Sequence, residues 1–433
     1  MATGPSTMRS LRDAAEQSLE ILKGVGFDHV QSTASWTAQQ ELCITRGVPS
    51  LMRSKEGRKL SLLGIVDGRR VAAELDDLHM DSLLELAGNL LKDALESPGD
   101  AAHAVSVGEL ARIDQGPQEA DQRVLAAKAA ELLGFRRREA PSALVCEGVV
   151  GHSIARSHTF TSSGSELAVS IGWYSMSVLA CAREAERSSA LNLASGSSHD
   201  LRVAPAAGFF GIGDMLRDTC LQIGARPFAG ELEGQVVLGP RAVADLVAWL
   251  LSQLGDLQLI HGNSLYRERV GLPIASSLVG LRSRFDAPGI AAVSPDACVA
   301  RPIELIRGGC LLALIPSLYG SRKTGLRHVP TSASGWELAA GDTALSDLVA
   351  GVATGALVGR LSMGLPAGNG DFSAVIKNSF EIVDGRLGAA LSDTMISANV
   401  AHMLHDISGI SRERIDSGEL LAPWLRIDGI QFF

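Results

Sequence analysis

The sequence predicts an α+β protein: an N-terminal domain of helices and antiparallel sheet, residues 1–225, followed by a β-rich C-terminal domain, residues 226–433. Three observations carry that prediction. Apolar residues at helical spacing mark the start of the chain and a period of two follows them; beyond Ser264, short apolar runs are separated by Gly, Pro and Asp. Helices grouped early and strands grouped late argue against a regular βαβ alternation. A chain of 433 residues has the length of two or three domains.

Residues 8–23 read as a helix, because Leu11, Ala14, Ala15, Leu19 and Leu22 recur at three- and four-residue steps and Gly24 is placed to end it. Over residues 28–75 the period falls to two (Val30, Ser32, Ala34; Leu42, Ile44; Leu60, Leu62), which predicts three or four strands with Asp67-Gly68 closing a tight hairpin. A second helix is expected over about residues 80–95. Residues 97–118 read as loop from their Pro98-Gly99 and Gly116-Pro117 pairs. A third helix, about 119–133, leads into a strand at 143–150. Residues 152–182 alternate Ser and Thr with apolar side chains, as two antiparallel strands around Ser162-Ser163-Gly164 would. Residues 188–208 are small and polar and read as loop. Helical spacing returns at 215–225, a short buried strand at 236–238, and a helix at about 241–254. Later helices are expected over 344–358 and 399–407.

The charge balance is 39 − 48 = −9, with a pI near 5.6. A surface of that sign repels phosphate, which argues against a nucleic-acid partner and against an anionic membrane. Residues 1–7 show no basic patch leading into an apolar run, so no signal peptide is expected. The six cysteines are scattered without a CxxC pair and are expected to be reduced thiols of a cytoplasmic protein.

Motif chemistry yields no self-contained catalytic site. There is no HExxH. His402 and His405 are spaced i, i+3 on an expected helix and lack an obvious third ligand, so surface histidines are the favoured reading. There is no GxSxG elbow, and Ser162-Ser-Gly-Ser165 reads as a turn. His152, Arg156 and His158 alternate along one strand and would share a face, read as solvated. The glycine-rich run from Gly208 to Gly213 lacks a following Lys-Ser/Thr and reads as a turn into a helix with Asp214 as N-cap.

Two stretches carry a family resemblance. Gly370-Asp-Phe-Ser, the run from Phe380 through Asp384-Gly-Arg386, and Leu391-Ser-Asp-Thr-Met-Ile-Ser-Ala-Asn399 resemble the signature of the TldD/PmbA family. Ser264-Leu-Tyr-Arg267, residues 282–288 and Ser317-Leu-Tyr-Gly-Ser-Arg-Lys-Thr-Gly325 resemble further family blocks in the same order, and residues 47–77 resemble its first domain. The sequence departs from the pattern at Ala389-Ala390, where the family has a proline region.

The resemblance implies one of two kinds of subunit. One kind carries a zinc-peptidase HExxxH on a helix, completed by a late cysteine; the other, TldE or PmbA, lacks the motif and pairs with the first. Here the corresponding helix is placed at residues 251–261, with leucine, glycine and glutamine where ligands would stand, and Ser417 at the place of the cysteine. The implied protein is a non-catalytic, TldE-like subunit with no cofactor of its own. Its partner is a TldD-like zinc peptidase subunit that carries the zinc, and its substrate is a peptide or modified-peptide precursor. His261, Tyr266, Arg267, Asp371 and Ser373 are the candidates for cleft or interface roles. Two alternatives stay open: a repurposed family enzyme tailoring a peptide- or amino-acid-derived metabolite, in which His152, His158, His261, His328, His402 and His405 converge, and a homodimeric scaffold packed through the small residues of 344–358.

Overall fold

The computed structural model describes residues 5–76 and 83–433. The expected start of the second helix at Met80, the end of the first-domain block at Asp77, and residues 1–4 lie outside them. The fold is α+β, with two sheets, each carrying helices.

The first helix, α1 (Pro5–Val25), precedes three strands, β1 (His29–Thr45), β2 (Val48–Val66) and β3 (Arg69–Leu75). Arg46-Gly47 and Asp67-Gly68 all have positive φ, the backbone of two-residue hairpin turns. The Leu42–Ile44 alternation continues β1, because β1 pairs along its length with β2 on one side and β5 on the other. There follow α2 (Leu83–Glu96), β4 (Leu110–Gln115), α3 (Gln122–Glu139), β5 (Ala143–Thr161), β6 (Glu166–Glu184), β7 (Arg187–Ser188), β8 (Asn192–Ser198) and α4 (Ile212–Leu221). The first sheet runs β3-β2-β1-β5-β6-β4, and β7 and β8 also pair with β6.

Two strands lie in stretches that read as loop. β4 pairs parallel with the start of β6 and has no fully buried residue, so its period carries no apolar signal. β8 is mostly small and polar, Leu193 apart, and is held by seven register pairs to β6. His152, Arg156 and His158 do share a face of β5, but that face is buried and not solvated. His158 meets Glu166 at 3.0 Å, Arg156 lies over the Trp36 ring at 5.3 Å, and the His152 ring nitrogen lies 2.7 Å from the Pro117 carbonyl. Residues of α1, with Ile154 and Phe160, complete a core there.

The C-terminal domain begins with β9 (Leu232–Leu238), α5 (Pro240–Leu254) and α6 (Asp256–Ile260). Then come β10 (Leu281–Ser283), β11 (Glu304–Arg307), β12 (Cys310–Leu311), α7 (Leu318–Thr324), β13 (Trp336–Leu338) and α8 (Leu345–Ala350). The chain ends with β14 (Thr354–Ser362), β15 (Asp371–Val383), β16 (Arg386–Leu391), β17 (Met395–Asn399), α9 (Val400–His405), β18 (Ile407–Asp416) and β19 (Leu420–Phe432). Because β9 pairs with both β14 and β19, the strands β9-β14-β15-β17-β19 close into a ring. Closure removes free edges from these strands.

The helix expected over 344–358 is overturned. α8 stops at Ala350, and Thr354 onward is a strand of the ring. Its small residues serve strand contact: a Cβ on Gly355 would stand 1.8 Å from the Gln235 carbonyl oxygen. The packing basis of the homodimeric alternative goes with that helix. The stretch Pro240–Ile260 is long and apolar enough to cross a membrane, but the chain breaks at Gly255 and Leu246, Trp249 and Leu250 are buried in the core against the ring. Burying each such side chain contributes about 1.5–3 kcal/mol, so the apolar character of α5 belongs to this core.

Candidate functional site

Between the two sheets lies a cavity of about 580 Å³, within the size range of small-molecule and peptide pockets. One wall is the first sheet, where Ser175 and Ser177 of β6 and Ser195 and Ser197 of β8 supply hydroxyls. The opposite wall is the start of α5, the middle of β14 and the turn from β18 to β19. α4 closes one side with Asp214 and Asp218.

Local backbone geometry explains how these elements meet. Phe210 and Gly211 both have positive φ, and Gly211 is the N-cap of α4. A Cβ on Gly211 would stand 2.7 Å from Ile415 Cδ1, so glycine allows α4 to reach β18. Asp214 is therefore not the N-cap; it lies in the first turn of α4 and pairs with Arg217 at 3.0 Å. At α5, the Gly239 amide donates to the Val358 carbonyl at 2.8 Å, and Pro240 occupies the first helical position. Arg241 and Asp245 follow one turn apart and both line the cavity.

The charged groups of the walls are unusual in their lack of partners. The side chains of Asp218, Arg241 and Asp245 make no hydrogen bond or ion pair among the described residues. Burial, and then the nearby Asp214 charge, pushes the Asp218 carboxyl up to about 6. Burial, and then the Arg360 charge, moves the Arg241 guanidinium below its ordinary value. Burial raises the Asp245 carboxyl, against the pull of Arg241 and Arg360. By surface area Arg241 is exposed, while Asp218 and Asp245 are half-buried.

Ser417 stands in the same cavity wall. Its hydroxyl accepts from the Leu420 amide at 3.2 Å and donates to the Leu420 carbonyl at 3.0 Å, and its carbonyl accepts from the Ser197 amide at 3.0 Å. The other position taken from the resemblance lies away from the cavity. Residues 251–261 are not one helix, since they run from the end of α5 across Gly255 into α6, and none of them lines the cavity. In the C-terminal domain, the helix that reaches the cavity is α5, through its N-terminal half.

The five candidate residues lie in two groups, and none lines the cavity. His261 is exposed and caps the C-terminus of α6. Tyr266 is buried edge-on to Trp249 at 6.2 Å between ring centroids, its hydroxyl has no hydrogen-bond partner, and burial pushes its pKa up to about 12. Arg267 donates to the Leu259 carbonyl at 3.2 Å. Asp371 accepts from Asn399 at 2.8 Å and Asn369 at 2.7 Å, which hold its carboxyl below the usual range. Ser373 meets Ser397 across β15 and β17 at 3.3 Å. Trp249 joins the two groups, because its ring also packs on Gly370 and its indole N–H donates to the Ala367 carbonyl at 3.0 Å.

No group of three or more His, Cys, Asp or Glu side chains is arranged to hold a metal ion among the described residues. The histidines of the convergence alternative have separate surroundings: His152 faces Pro117, His158 faces Glu166, His328 lies 3.9 Å from Asp296, and His402 and His405 sit on α9. Sequence reasoning missed Asp218, Arg241, Asp245 and Arg360. A usable signal was present in two acid or acid–base pairs one helical turn apart, Asp214/Asp218 and Arg241/Asp245.

A ring-forming C-terminal domain, joined through a serine-lined cavity to a long-stranded antiparallel sheet, defines a two-domain α+β class of protein. Residues 232–433 match the family model described as the PmbA/TldA metallopeptidase C-terminal domain. Residues 232–433 therefore form a C-terminal domain of the TldD/PmbA family. No curated protein matches the chain. Among solved structures it is similar to TldE from Thermococcus kodakarensis, at 18% identity and TM-score 0.81 over 97% of this chain and 99% of that one. It is also similar to a proposed modulator of DNA gyrase from Bacteroides thetaiotaomicron, at 18% identity and TM-score 0.81 over 97% and 98%. A second such protein, from Thermotoga maritima, aligns at 14% identity and TM-score 0.79 over 97% and 99%. At these identities the likeness is one of fold.

Proposed function

We propose that this chain is the non-catalytic, TldE-like half of a heterodimeric zinc metallopeptidase acting on peptides or modified-peptide precursors in the cytoplasm, and that it forms one wall of the substrate cleft. One observation carries the reading. α5, the C-terminal-domain helix that reaches the cavity, contains no His, Cys or Glu, and the facing turn offers Ser417, a neutral hydroxyl. Asp245 alone is a strong metal donor on that helix, and a single carboxylate does not make the three- or four-ligand set zinc requires. The likeness in fold to a protein named TldE supports the same role.

In this reading a zinc ion held by the partner would supply the Lewis-acid chemistry of peptide-bond hydrolysis. This chain positions the peptide. Hydroxyls of Ser175, Ser177, Ser195 and Ser197 can donate to and accept from an extended main chain without selecting side chains. The apolar part of the wall, including Phe210, Leu357 and Trp424, excludes water around it. The test is affinity capture of the tagged chain from its native cells. The account expects a subunit bearing HExxxH in about equal amount; capture of the chain without such a subunit overturns it.

A further inference from the structure

Beyond a passive wall, the cavity has charge of opposite sign at its two ends. At the α4 end stand Asp214 and Asp218, one turn apart; Asp214 has Arg217 as its ion-pair partner, and Asp218 has none. At the α5 end stand Arg241 and Arg360, close enough for each charge to act on the other, with Asp245 nearby and no ion pair formed. Counting Arg217 with α4, the formal balance is negative by one at the α4 end and positive by one at the α5 end, and Glu419 adds a further exposed carboxylate to the lining. Asp218 and Asp245 are half-buried without a partner and Arg241 is exposed without one, so a counter-charge in the cavity finds groups that no protein partner already satisfies. A cation beside Asp218 would relieve its repulsion from Asp214, and an anion between the guanidiniums would relieve theirs.

We propose that this cavity binds a small zwitterion, a short peptide with free termini, holding its ammonium at Asp218 and its carboxylate at Arg241 and Arg360. A space of about 580 Å³ admits more than one amino-acid residue, and planar guanidinium groups suit a carboxylate better than a point charge does. The serine hydroxyls between the ends suit the intervening peptide bonds. The assignment extends the cleft reading to a ligand class, and it is tested on the single chain so that the two stand or fall separately.

The test is calorimetric titration of the purified full chain with alanyl-alanine, its N-acetylated form, its C-terminal amide, and inorganic phosphate. The expected result is binding of the free dipeptide, weakened about tenfold by either blocking group, the loss of one charge-assisted contact. Arg241→Gln should bind the free and amidated forms equally while still discriminating against acetylation. Asp218→Asn should show the reverse pattern. Arg360→Gln serves as the second basic-end variant should Arg241→Gln unfold, as judged by its denaturation curve. Absence of dipeptide binding at about 10 mM, equal binding of blocked and free forms, or phosphate binding as tight as the dipeptide's would overturn the proposal. A chain that binds dipeptide yet captures no HExxxH subunit keeps this assignment and loses the heterodimer; a chain that captures the subunit and ignores dipeptides does the opposite.

Discussion

Tyr319 of α7 donates its phenolic hydrogen across the domain boundary to Asp100, with Oη 2.8 Å from Oδ2. The same carboxylate takes Lys323 at 2.9 Å and the Ala102 amide at 2.9 Å, and the His103 ring stacks on Tyr319 at 4.9 Å between centroids. One aspartate thus joins the loop after α2 to a helix of the other domain. The Ala102 amide first, then Lys323 and Tyr319, hold its carboxyl well below the usual carboxylate range.

A depressed folded-state pKa stabilises above the unfolded value and is lost as pH falls through the folded one. The difference in thermal midpoint between the native chain and Asp100→Asn should therefore be constant from neutral pH down to about 4 and shrink below it. Tyr319→Phe should lower the midpoint by about 2 °C at neutral pH. A difference that grows in acid would show that the contact is not made as described.

Asp218 has the opposite sign. Its folded pKa, pushed up to about 6, exceeds that of an unfolded aspartate, so the folded state holds the proton more tightly. Stability falls as pH rises from about 4 to about 6 and stays lower above that. Asp218→Asn should remove this fall and gain roughly 2 kcal/mol at pH 7.5, with little change at pH 4. Urea unfolding at the two pH values gives both numbers.

Tyr266 buries a hydroxyl without a partner. Tyr266→Phe should raise stability by about 1 kcal/mol, because an unsatisfied polar group is removed and the contact with Trp249 is kept. A loss of stability would indicate that the hydroxyl serves a contact.

Two glycine substitutions separate close contact from open space. Gly355→Ala sets a Cβ 1.8 Å from a backbone oxygen and should cost about 3 kcal/mol. Gly88→Ala, within α2 and with nothing within 4 Å, should gain about 1 kcal/mol. Denaturant midpoints measured in parallel decide both.

Single elements were legible from their periods. The helix around Leu11 and Leu22, the Asp67-Gly68 hairpin and the paired strands about Ser162–Gly164 follow from local spacing and turn chemistry. β4 and β8 were not legible, because an edge strand without buried residues and a strand of mostly small and polar residues carry no clear apolar period. Residues 354–358 read as helix on their small and apolar content, while pairing with β9 and β15 makes them strand. The cavity was invisible for a further reason: Ser175, Asp218, Arg241 and Ser417 lie on elements far apart in the chain, and only the packing of two sheets brings them together. The resemblance placed Ser417 at a position that faces the cavity, and placed the vacant helix at residues 251–261, which run from α5 into α6 and do not line it.

The central claim is that catalysis belongs to a partner. Its most direct measurement is zinc content and peptidase rate, taken for the purified chain, for an HExxxH-bearing family subunit, and for the two combined. The account predicts zinc and hydrolysis only where the HExxxH subunit is present, with the rate rising when this chain is added. Stoichiometric zinc and peptide hydrolysis in the chain by itself would contradict it.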